Sequence, residues 1–435
     1  MIEKILNSLN IKALNEMQEQ AIAANENNND VILLSSTGSG KTLAFLIPVL
    51  KRLDPNNKDI QALILAPSRE LAIQIEQVFK SMSTGFKVNC CYGGHAMSVE
   101  RKNLSEPPAL LIGTPGRILD HIHRRIIDVN TVHTLVLDEF DKSLELGFQE
   151  EMSEILARTH YITKRILTSA TNSIEIPEFA GVTNPFVLNF LTEKKETAGL
   201  KLHLVKSDEK DKSKTLFQLV CMLGNESILV FCNHRESAEY VSDSLKENNV
   251  ISAVFHGGLE QHVRERALAK FRNGSSNLLI CTDLASRGLD IPEIKNIIHY
   301  HLPLTEEAYI HRNGRTARMN AEGSSYMIIN TEETVPKYIT ENPEFIELEE
   351  TYRVPSKPNW ITLYMGKGKK DKLNKVDIVG FLAQKGNLKK DEIGLIEVKD
   401  FFSYVAVKRV KVKELLSLIA NEKIKNMKTK IEISD

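Results

Sequence analysis

The sequence predicts an α/β protein: two tandem parallel-sheet domains, followed by a small α+β domain of ferredoxin-like order. Three observations lead there. Short apolar runs alternate with helical patterns through roughly the first two hundred residues, the rhythm of parallel strands joined by crossover helices. A polar stretch at 192–199 interrupts that rhythm, which then starts again. After an acidic run at 347–350 and the prolines Pro355 and Pro358, which read as a linker, the pattern changes to βαββαβ. The expected domains are 1–198, 199–350 and 357–435.

In the first domain the expected strands are Val31-Ile32-Leu33-Leu34, Ala62-Leu63-Ile64-Leu65-Ala66, Ala109-Leu110-Leu111-Ile112, Thr134-Leu135-Val136-Leu137 and Arg165-Ile166-Leu167. Short apolar runs of this kind suit strands covered on both faces. The second domain repeats the pattern with Ile228-Leu229-Val230-Phe231, Ala253-Val254-Phe255, Leu278-Leu279-Ile280 and Ile297-Ile298. The last domain places strands at 361–365, 393–398, 402–407 and 428–433, with helices at 377–383 and 412–420.

Composition narrows the class. A chain of 435 residues, 42% hydrophobic and 26% charged, has room for several ordinary globular cores. Its net charge of -1 hides an asymmetry: residues 351–435 hold 19 Lys+Arg against 10 Asp+Glu, so a basic tail follows an acidic body. The five cysteines, Cys90, Cys91, Cys221, Cys232 and Cys281, show no metal-ligand spacing and fall mostly in apolar runs, which predicts reduced thiols and no zinc site. No run approaches the roughly eighteen apolar residues of a membrane span, and the N-terminus has no signal-like apolar region. A cytoplasmic, monomeric protein without a membrane partner is expected.

The chemistry sits at strand ends. Asp138-Glu139-Phe140-Asp141 closes an apolar strand, and a parallel sheet presents ligand-facing residues at its carboxyl edge. Ser36-Thr37-Gly38-Ser39-Gly40-Lys41-Thr42 likewise follows the first strand. The backbone N–H groups of Thr37, Gly38, Ser39 and Gly40 can face a polyphosphate, helped by the positive end of a helix over 43–50. Lys41 then reaches the β and γ phosphates, Thr42 and Asp138 hold Mg²⁺, and Glu139 orients and deprotonates the attacking water. Either motif alone could be an ordinary turn; the ordered pair indicates a nucleotide triphosphatase. In His311-Arg312-Asn313-Gly314-Arg315-Thr316-Ala317-Arg318, the spacing puts Arg315 and Arg318 on one helical face. They would either stabilise charge on a transferring γ-phosphoryl group or belong to a surface basic helix.

Taken in order, these residues resemble the DEAD-box family of RNA helicases across 9–330. Gln18, the two motifs above, Ser169-Ala170-Thr171, Arg287-Gly288-Leu289-Asp290 and the 311–318 motif carry the nucleotide half of the resemblance. The nucleic-acid half is Pro67-Ser68-Arg69-Glu70-Leu71-Ala72, Gly93-Gly94, Thr114-Pro115-Gly116-Arg117, Gln261 with Arg264, and Thr282-Asp283. The resemblance implies two RecA-like domains closing over ATP and a short RNA segment. It assigns Gln18 to adenine, Gly288 to the nucleotide, Asp290 to the ribose, and Ser169, Thr171 and Asp141 to coupling. Pro67, Arg69, Gly94, Thr114, Arg117, Arg264 and Thr282 become RNA-backbone contacts. Read without it, Arg69-Glu70 could cap a helix and Gly93-Gly94 could simply turn the chain. This sequence departs from the family pattern at Phe140, where alanine is usual, and at Asn313, Ala317 and His301. No aromatic stands at the usual distance before Gln18.

In the tail, Gly366-Lys367-Gly368-Lys369-Lys370-Asp371-Lys372 and Asp377-Ile378-Val379-Gly380 resemble the C-terminal module of the DbpA-type helicases. That resemblance implies delivery of the motor to structured ribosomal RNA during ribosome assembly. Lys367, Lys369 and Lys370 would contact phosphates, or form a merely solvated loop. Phe402 and Tyr404 alternate onto one strand face, but Thr362 stands where an RNA-recognition motif has an aromatic, so base stacking on this sheet is not expected to dominate. The function expected is an RNA-dependent ATP hydrolase that locally unwinds RNA; an ATP-gated RNA clamp and a DNA helicase are the alternatives.

Overall fold

The computed structural model describes residues 1–36, 38–94, 97–171, 176–191, 199–283, 291, 294–316 and 322–434. They form two compact units dividing near residue 196; the C-terminal module belongs to the second. Among the described residues no helix is long and apolar enough to cross a membrane.

The first unit holds a seven-stranded sheet: β1 (Asp30–Leu34), β2 (Ala62–Leu65), β3 (Val88–Cys91), β4 (Leu110–Gly113), β5 (Thr134–Leu137), β6 (Lys164–Ser169) and β7 (Phe186–Asn189). Their order is β3-β4-β2-β5-β6-β1-β7 and every pairing is parallel. Helices α1 (Ile2–Leu9), α2 (Glu16–Asn27), α3 (Lys41–Lys51), α4 (Arg69–Ser81), α5 (Met97–Asn103), α6 (Pro115–His123), α7 (Phe140–Glu145) and α8 (Gln149–Ala157) accompany it. Side chains alternate along the strands, so Ile64 and Val136 join one core while Leu63, Leu65 and Leu135 join another. β1, β2, β4 and β5 are buried throughout, which is why they read as unbroken apolar runs.

The second unit repeats the plan with β8 (Leu200–Lys206), β9 (Ile228–Cys232), β10 (Ala253–Phe255), β11 (Leu278–Thr282), β12 (Asn296–His299), β13 (Gly323–Ile329) and β14 (Glu344–Ile346), in the order β10-β11-β9-β12-β13-β8-β14 and again all parallel. Helices α9 (Ser213–Leu223), α10 (Arg235–Glu247) and α11 (Gln261–Arg272) follow β8, β9 and β10. The strands that the apolar pattern does not reveal are mostly of two kinds. β3, β7 and β14 are edges, the last two largely exposed, and β8 alternates apolar with polar residues.

In the C-terminal module, β15 (Trp360–Met365), β16 (Ile393–Val398), β17 (Ser403–Lys408), the small hairpin β18 (Lys423–Ile424) and β19 (Met427–Lys428), and β20 (Ile431–Ile433) are joined by helices Lys375–Gln384 and Val412–Ile419. The sheet runs β16-β17-β15-β20, all antiparallel. The expected last strand over 428–433 is thus split, its first residue belonging to the hairpin. Leu363, Met365, Val405 and Val407 pack with Ile378, Leu382 and Leu415 in the module's core.

Candidate functional site

Adjacent strands β5, β6 and β1 end side by side, so the phosphate loop, the acidic motif and Ser169 meet at one carboxyl edge of the first sheet. Gly38 and Gly40 adopt φ of 84° and 93°, a region open to glycine at little cost. Gly40 has a second reason: a Cβ there would lie 2.5 Å from Gln18 Nε2. α3 begins at Lys41, whose ammonium is buried and donates to the carbonyls of Ser35 and Ser36. Burial lowers the Lys41 pKa, against the opposing pull of Glu139, Asp138 and Asp141. The Ser39 carbonyl accepts from Asn15 Nδ2 at 3.0 Å, which ties the loop to the start of α2. Thr42 is the second residue of α3, while Thr37 lies outside the described residues.

Gln18 is tied into this loop. Its Oε1 accepts from the Asn15 amide at 3.0 Å, completing the capping box that starts α2, and its Nε2 donates to Gly40 O at 3.2 Å. An amide side chain has a further N–H and a further lone pair beyond these two bonds, which is the capacity a purine edge requires.

Asp138 is buried and held by Thr168, whose Oγ1 donates to Asp138 Oδ1 at 2.5 Å. Burial raises the Asp138 pKa, opposed by that hydrogen bond and by Lys41. Glu139, at φ 45° and ψ 53°, is left-handed, and its amide donates to the same Thr168 hydroxyl at 3.0 Å. Asp141 Oδ2 accepts from Ala170 N at 3.2 Å and Thr171 Oγ1 at 3.3 Å, so Thr171 bonds the acidic motif. Ser169 Oγ donates to Thr171 O and accepts from Thr171 N, folding that segment on itself. Phe140 turns into the core that contains Leu137, Met152, Ile155 and Leu167, so its extra volume is taken up inside the sheet packing. Asp138 and Thr42 offer oxygen donors alone, the ligand chemistry that suits Mg²⁺.

The proposed RNA contacts of the first unit occupy the same carboxyl edge. Pro67 follows β2, Ser68 caps α4 by accepting from Leu71 N at 3.2 Å, and Arg69 opens that helix beside Gly93. The segment thus starts a helix at the sheet's carboxyl edge, with Ser68 and not Arg69-Glu70 as its cap. Gly94 has φ 99°. Thr114 precedes α6, and Arg117 pairs with Glu100 at 2.7 Å. Glu100 Oε2 also meets His121 Nε2 at 2.6 Å; burial would raise its pKa, but the bonds to His121 and Arg117 outweigh that and lower it. Cys91 completes a trio whose possible ligand atoms lie within 4.8 Å of one another, yet the Glu100 oxygen is already shared by a guanidinium and an imidazole. Glu100 is not legible in the sequence as a site residue, because a lone glutamate in a polar helix has no distinguishing signal.

In the second unit, Arg312 is the centre of a buried network. It binds Asp283 through Nε at 2.6 Å and Nη2 at 2.7 Å, and donates to Asn233 Oδ1, His301 O and His299 Nδ1. Asn313 Oδ1 accepts from Ser325 Oγ at 2.8 Å and lies 3.2 Å from His299 Nε2, which explains a polar residue at that buried position. His301 Nδ1 accepts from the Asn233 amide, and burial pushes its pKa down to about 4, so it stays neutral. The helix Glu306–Asn313 ends before Arg315, which is buried in the turn beyond. Arg318, Gly288 and Asp290 lie outside the described residues. Arg264 is buried on α11 with its guanidinium 5.0 Å from the Phe255 ring centre, and Thr282 ends β11.

The DEAD/DEAH box helicase profile matches residues 15–179 and the helicase conserved C-terminal domain matches 211–320. The ATP-dependent RNA helicase eIF4A of Sclerotinia sclerotiorum is 36% identical over 325 residues, covering 73% of this chain and 81% of that protein. The chain belongs to the DEAD-box ATP-dependent RNA helicases. The helicase is also 34% identical over 338 residues to ATP-dependent RNA helicase CshA of Listeria monocytogenes, covering 76% of this chain and 65% of that protein. Among solved structures, S. cerevisiae Dbp5 bound to RNA and ADP BeF3 aligns with a TM-score of 0.68 and 25% identity, covering 79% of this chain and 92% of that one. DEAD-box helicase Mss116 bound to ssRNA and UDP-BeF aligns with a TM-score of 0.70 and 26% identity, covering 80% and 78%.

The DbpA RNA binding domain profile matches residues 362–433 of the helicase. Thr362 is there for a reason other than stacking. Its hydroxyl accepts from Asn273 Nδ2 at 2.8 Å and meets Ser275 Oγ at 2.9 Å, both just beyond α11 of the preceding domain. Arg272 pairs with Glu397 on the same sheet face at 3.6 Å, and Trp360 lies beside Gly274. Tyr364, Phe402 and Tyr404 cluster on this face with centroids 5.3–6.1 Å apart, but Tyr404 is only 4% exposed. The sheet is thus occupied in part by docking. The lysine loop is ordered: Gly368 N and Lys367 Nζ both donate to Asp371, and the Lys369 and Lys370 amides donate to Lys399 O and Asp400 O at 2.8 Å. A Cβ on Gly368 would fall 2.3 Å from Lys399 O, so glycine is needed for that close approach. Lys369 and Lys370 project from this turn with exposed side chains.

Proposed function

We propose that this helicase remodels structured ribosomal RNA during ribosome assembly, acting as a cytoplasmic monomer with domains at 1–198, 199–350 and 357–435. Lys41 and the loop amides bind the ATP phosphates, Gln18 reads adenine, Gly288 binds the nucleotide and Asp290 lies near the ribose. Thr42 and Asp138 would hold Mg²⁺, which when bound neutralises phosphate charge. Glu139 holds and deprotonates the attacking water. Arg315 and Arg318 stabilise charge on the transferring γ-phosphoryl group, and RNA stimulates hydrolysis. Pro67, Arg69, Gly94, Thr114, Arg117, Arg264 and Thr282 grip one strand by its backbone, and distortion of that strand separates a neighbouring duplex locally.

The observation that supports the targeting role is the combination of a DbpA RNA binding domain with an ordered turn presenting Lys369 and Lys370. The test keeps the full chain, since truncation would uncover Asn273 and Ser275. Lys369→Glu with Lys370→Glu should weaken RNA-stimulated ATPase on a structured ribosomal fragment while leaving stimulation by an unstructured homopolymer near the parental level. For each phosphate that the variant no longer neutralises, the salt slope should also fall by about one unit. Equal curves on both RNAs would leave the module as a stability element. Strand separation of a duplex flanking the fragment then distinguishes unwinding from clamping.

A further inference from the structure

We propose that Thr168 is a positioning residue for ATP hydrolysis, one hydroxyl that holds both the Asp138 carboxylate and the Glu139 backbone. The proposal rests on the reading of Asp138 as the cation ligand and Glu139 as the base. Thr168 is fully buried in β6, the strand next to β5, and Leu137 pairs with Leu167 in register, so the next residues of the two strands face each other. An amide can only donate, so the Glu139 N–H at 3.0 Å obliges Thr168 Oγ1 to accept there. Its single proton is then committed to Asp138 Oδ1 at 2.5 Å. The first bond pins the backbone of a non-glycine residue in the left-handed region, a conformation that persists only where the surroundings hold it. The second fixes the orientation of a buried carboxylate whose charged neighbours include Lys41 and Asp141. Thr168 directly precedes Ser169-Ala170-Thr171, so the strand that orients the acids also carries the residues bonded to Asp141.

Thr168→Val keeps the shape and removes the hydroxyl; Thr168→Ser keeps the hydroxyl; Thr168→Cys is a near-isosteric second variant with a weak donor. Thermal melts establish that each is folded. Binding of a fluorescent ADP is titrated with Mg²⁺ and repeated in EDTA, and RNA-stimulated ATPase is measured on the same proteins. The expected result for Thr168→Val is parental affinity in EDTA, a half-saturating Mg²⁺ raised about tenfold, and a kcat lowered about tenfold or more with KM nearly unchanged, as a misplaced general base predicts. In nucleotide-free protein the Glu139 amide should exchange faster. Thr168→Ser should restore the Mg²⁺ dependence, kcat and the amide exchange rate, and Thr168→Cys should fall between. Parental Mg²⁺ dependence and kcat in folded Thr168→Val and Thr168→Cys would overturn the proposal and leave Thr168 a satisfied core hydroxyl. Asp138→Asn separates the two levels: if it too retains parental Mg²⁺ dependence, the assignment of Asp138 fails first.

Discussion

Asn273, in the second helicase domain, donates through Nδ2 to the Thr362 hydroxyl of the C-terminal module at 2.8 Å, inside a contact buried on both sides. Replacing Thr362 with valine would leave the Asn273 amide without that acceptor, a cost on the order of 1–3 kcal/mol. Trp360, the chain's single tryptophan, lies at this contact and reports it. Thr362→Val should lower the urea midpoint of the Trp360 emission change, and Thr362→Arg should red-shift emission before any denaturant is added. Unchanged emission and hydrogen exchange over 272–276 in Thr362→Arg would mean the dock does not depend on this face.

Lys41→Ala and Glu139→Gln should separate binding from chemistry. The first removes the phosphate cradle's charge and should abolish detectable binding of a fluorescent ATP analogue. The second should bind at the parental level and hydrolyse on the order of 10²-fold more slowly with RNA present. Parental turnover by Glu139→Gln would remove it from the role of base.

Gly40→Ala meets two penalties at once. Its φ of 93° costs a non-glycine residue about 1–2 kcal/mol, and the new methyl would collide with Gln18 Nε2. Nucleotide affinity should fall by at least about tenfold, since about 1.4 kcal/mol is one decade. Adding Gln18→Ala removes the collision but not the backbone strain, so the double variant should recover melting temperature in part relative to Gly40→Ala. No recovery would show that backbone strain alone governs the site.

His299 sets a pH window. Arg312 donates to its Nδ1, which assigns the neutral Nε2–H tautomer, and burial followed by the Arg312 charge pushes its pKa down to about 3. The unfolded chain takes up a proton near pH 6.5 whereas the folded chain does not until about 3, so stability present above about 6.5 is lost as pH falls through that interval. The loss is up to about 1.4 kcal/mol per pH unit. His299→Gln should flatten the pH dependence of the Trp360-detected urea midpoint between those values; an identical slope in both proteins would mean other groups carry it.

The sequence exposed what is local. β1, β2, β4 and β5 are short apolar runs because both faces are covered, and Gly38, Gly40 and Lys41 announce a phosphate loop because backbone geometry and charge demand those residue types at that spacing. What it concealed is long-range or chemically ordinary. Thr168 looks like any strand threonine until β5 and β6 are placed side by side, and Glu100 acquires meaning only once α5 and α6 bring it to Arg117. Thr362 is conspicuous as a missing aromatic, but its partners Asn273 and Ser275 stand almost ninety residues away in the chain. The helix that carries Arg312 ends at Asn313 with Gly314 at its C-cap, so Arg315 stands in the turn beyond it, which spacing alone does not reveal.

The dock at the end of α11 makes that helix a ruler. Gln261 and Arg264 stand at its start and Arg272 at its end, a span of about 16 Å at about 1.5 Å per residue. The module is fastened at the far end of that helix, through Arg272, Asn273 and Ser275. On the function proposed above, an RNA held both at the lysine turn and at Arg264 would span a distance that the dock, and not a flexible linker, determines.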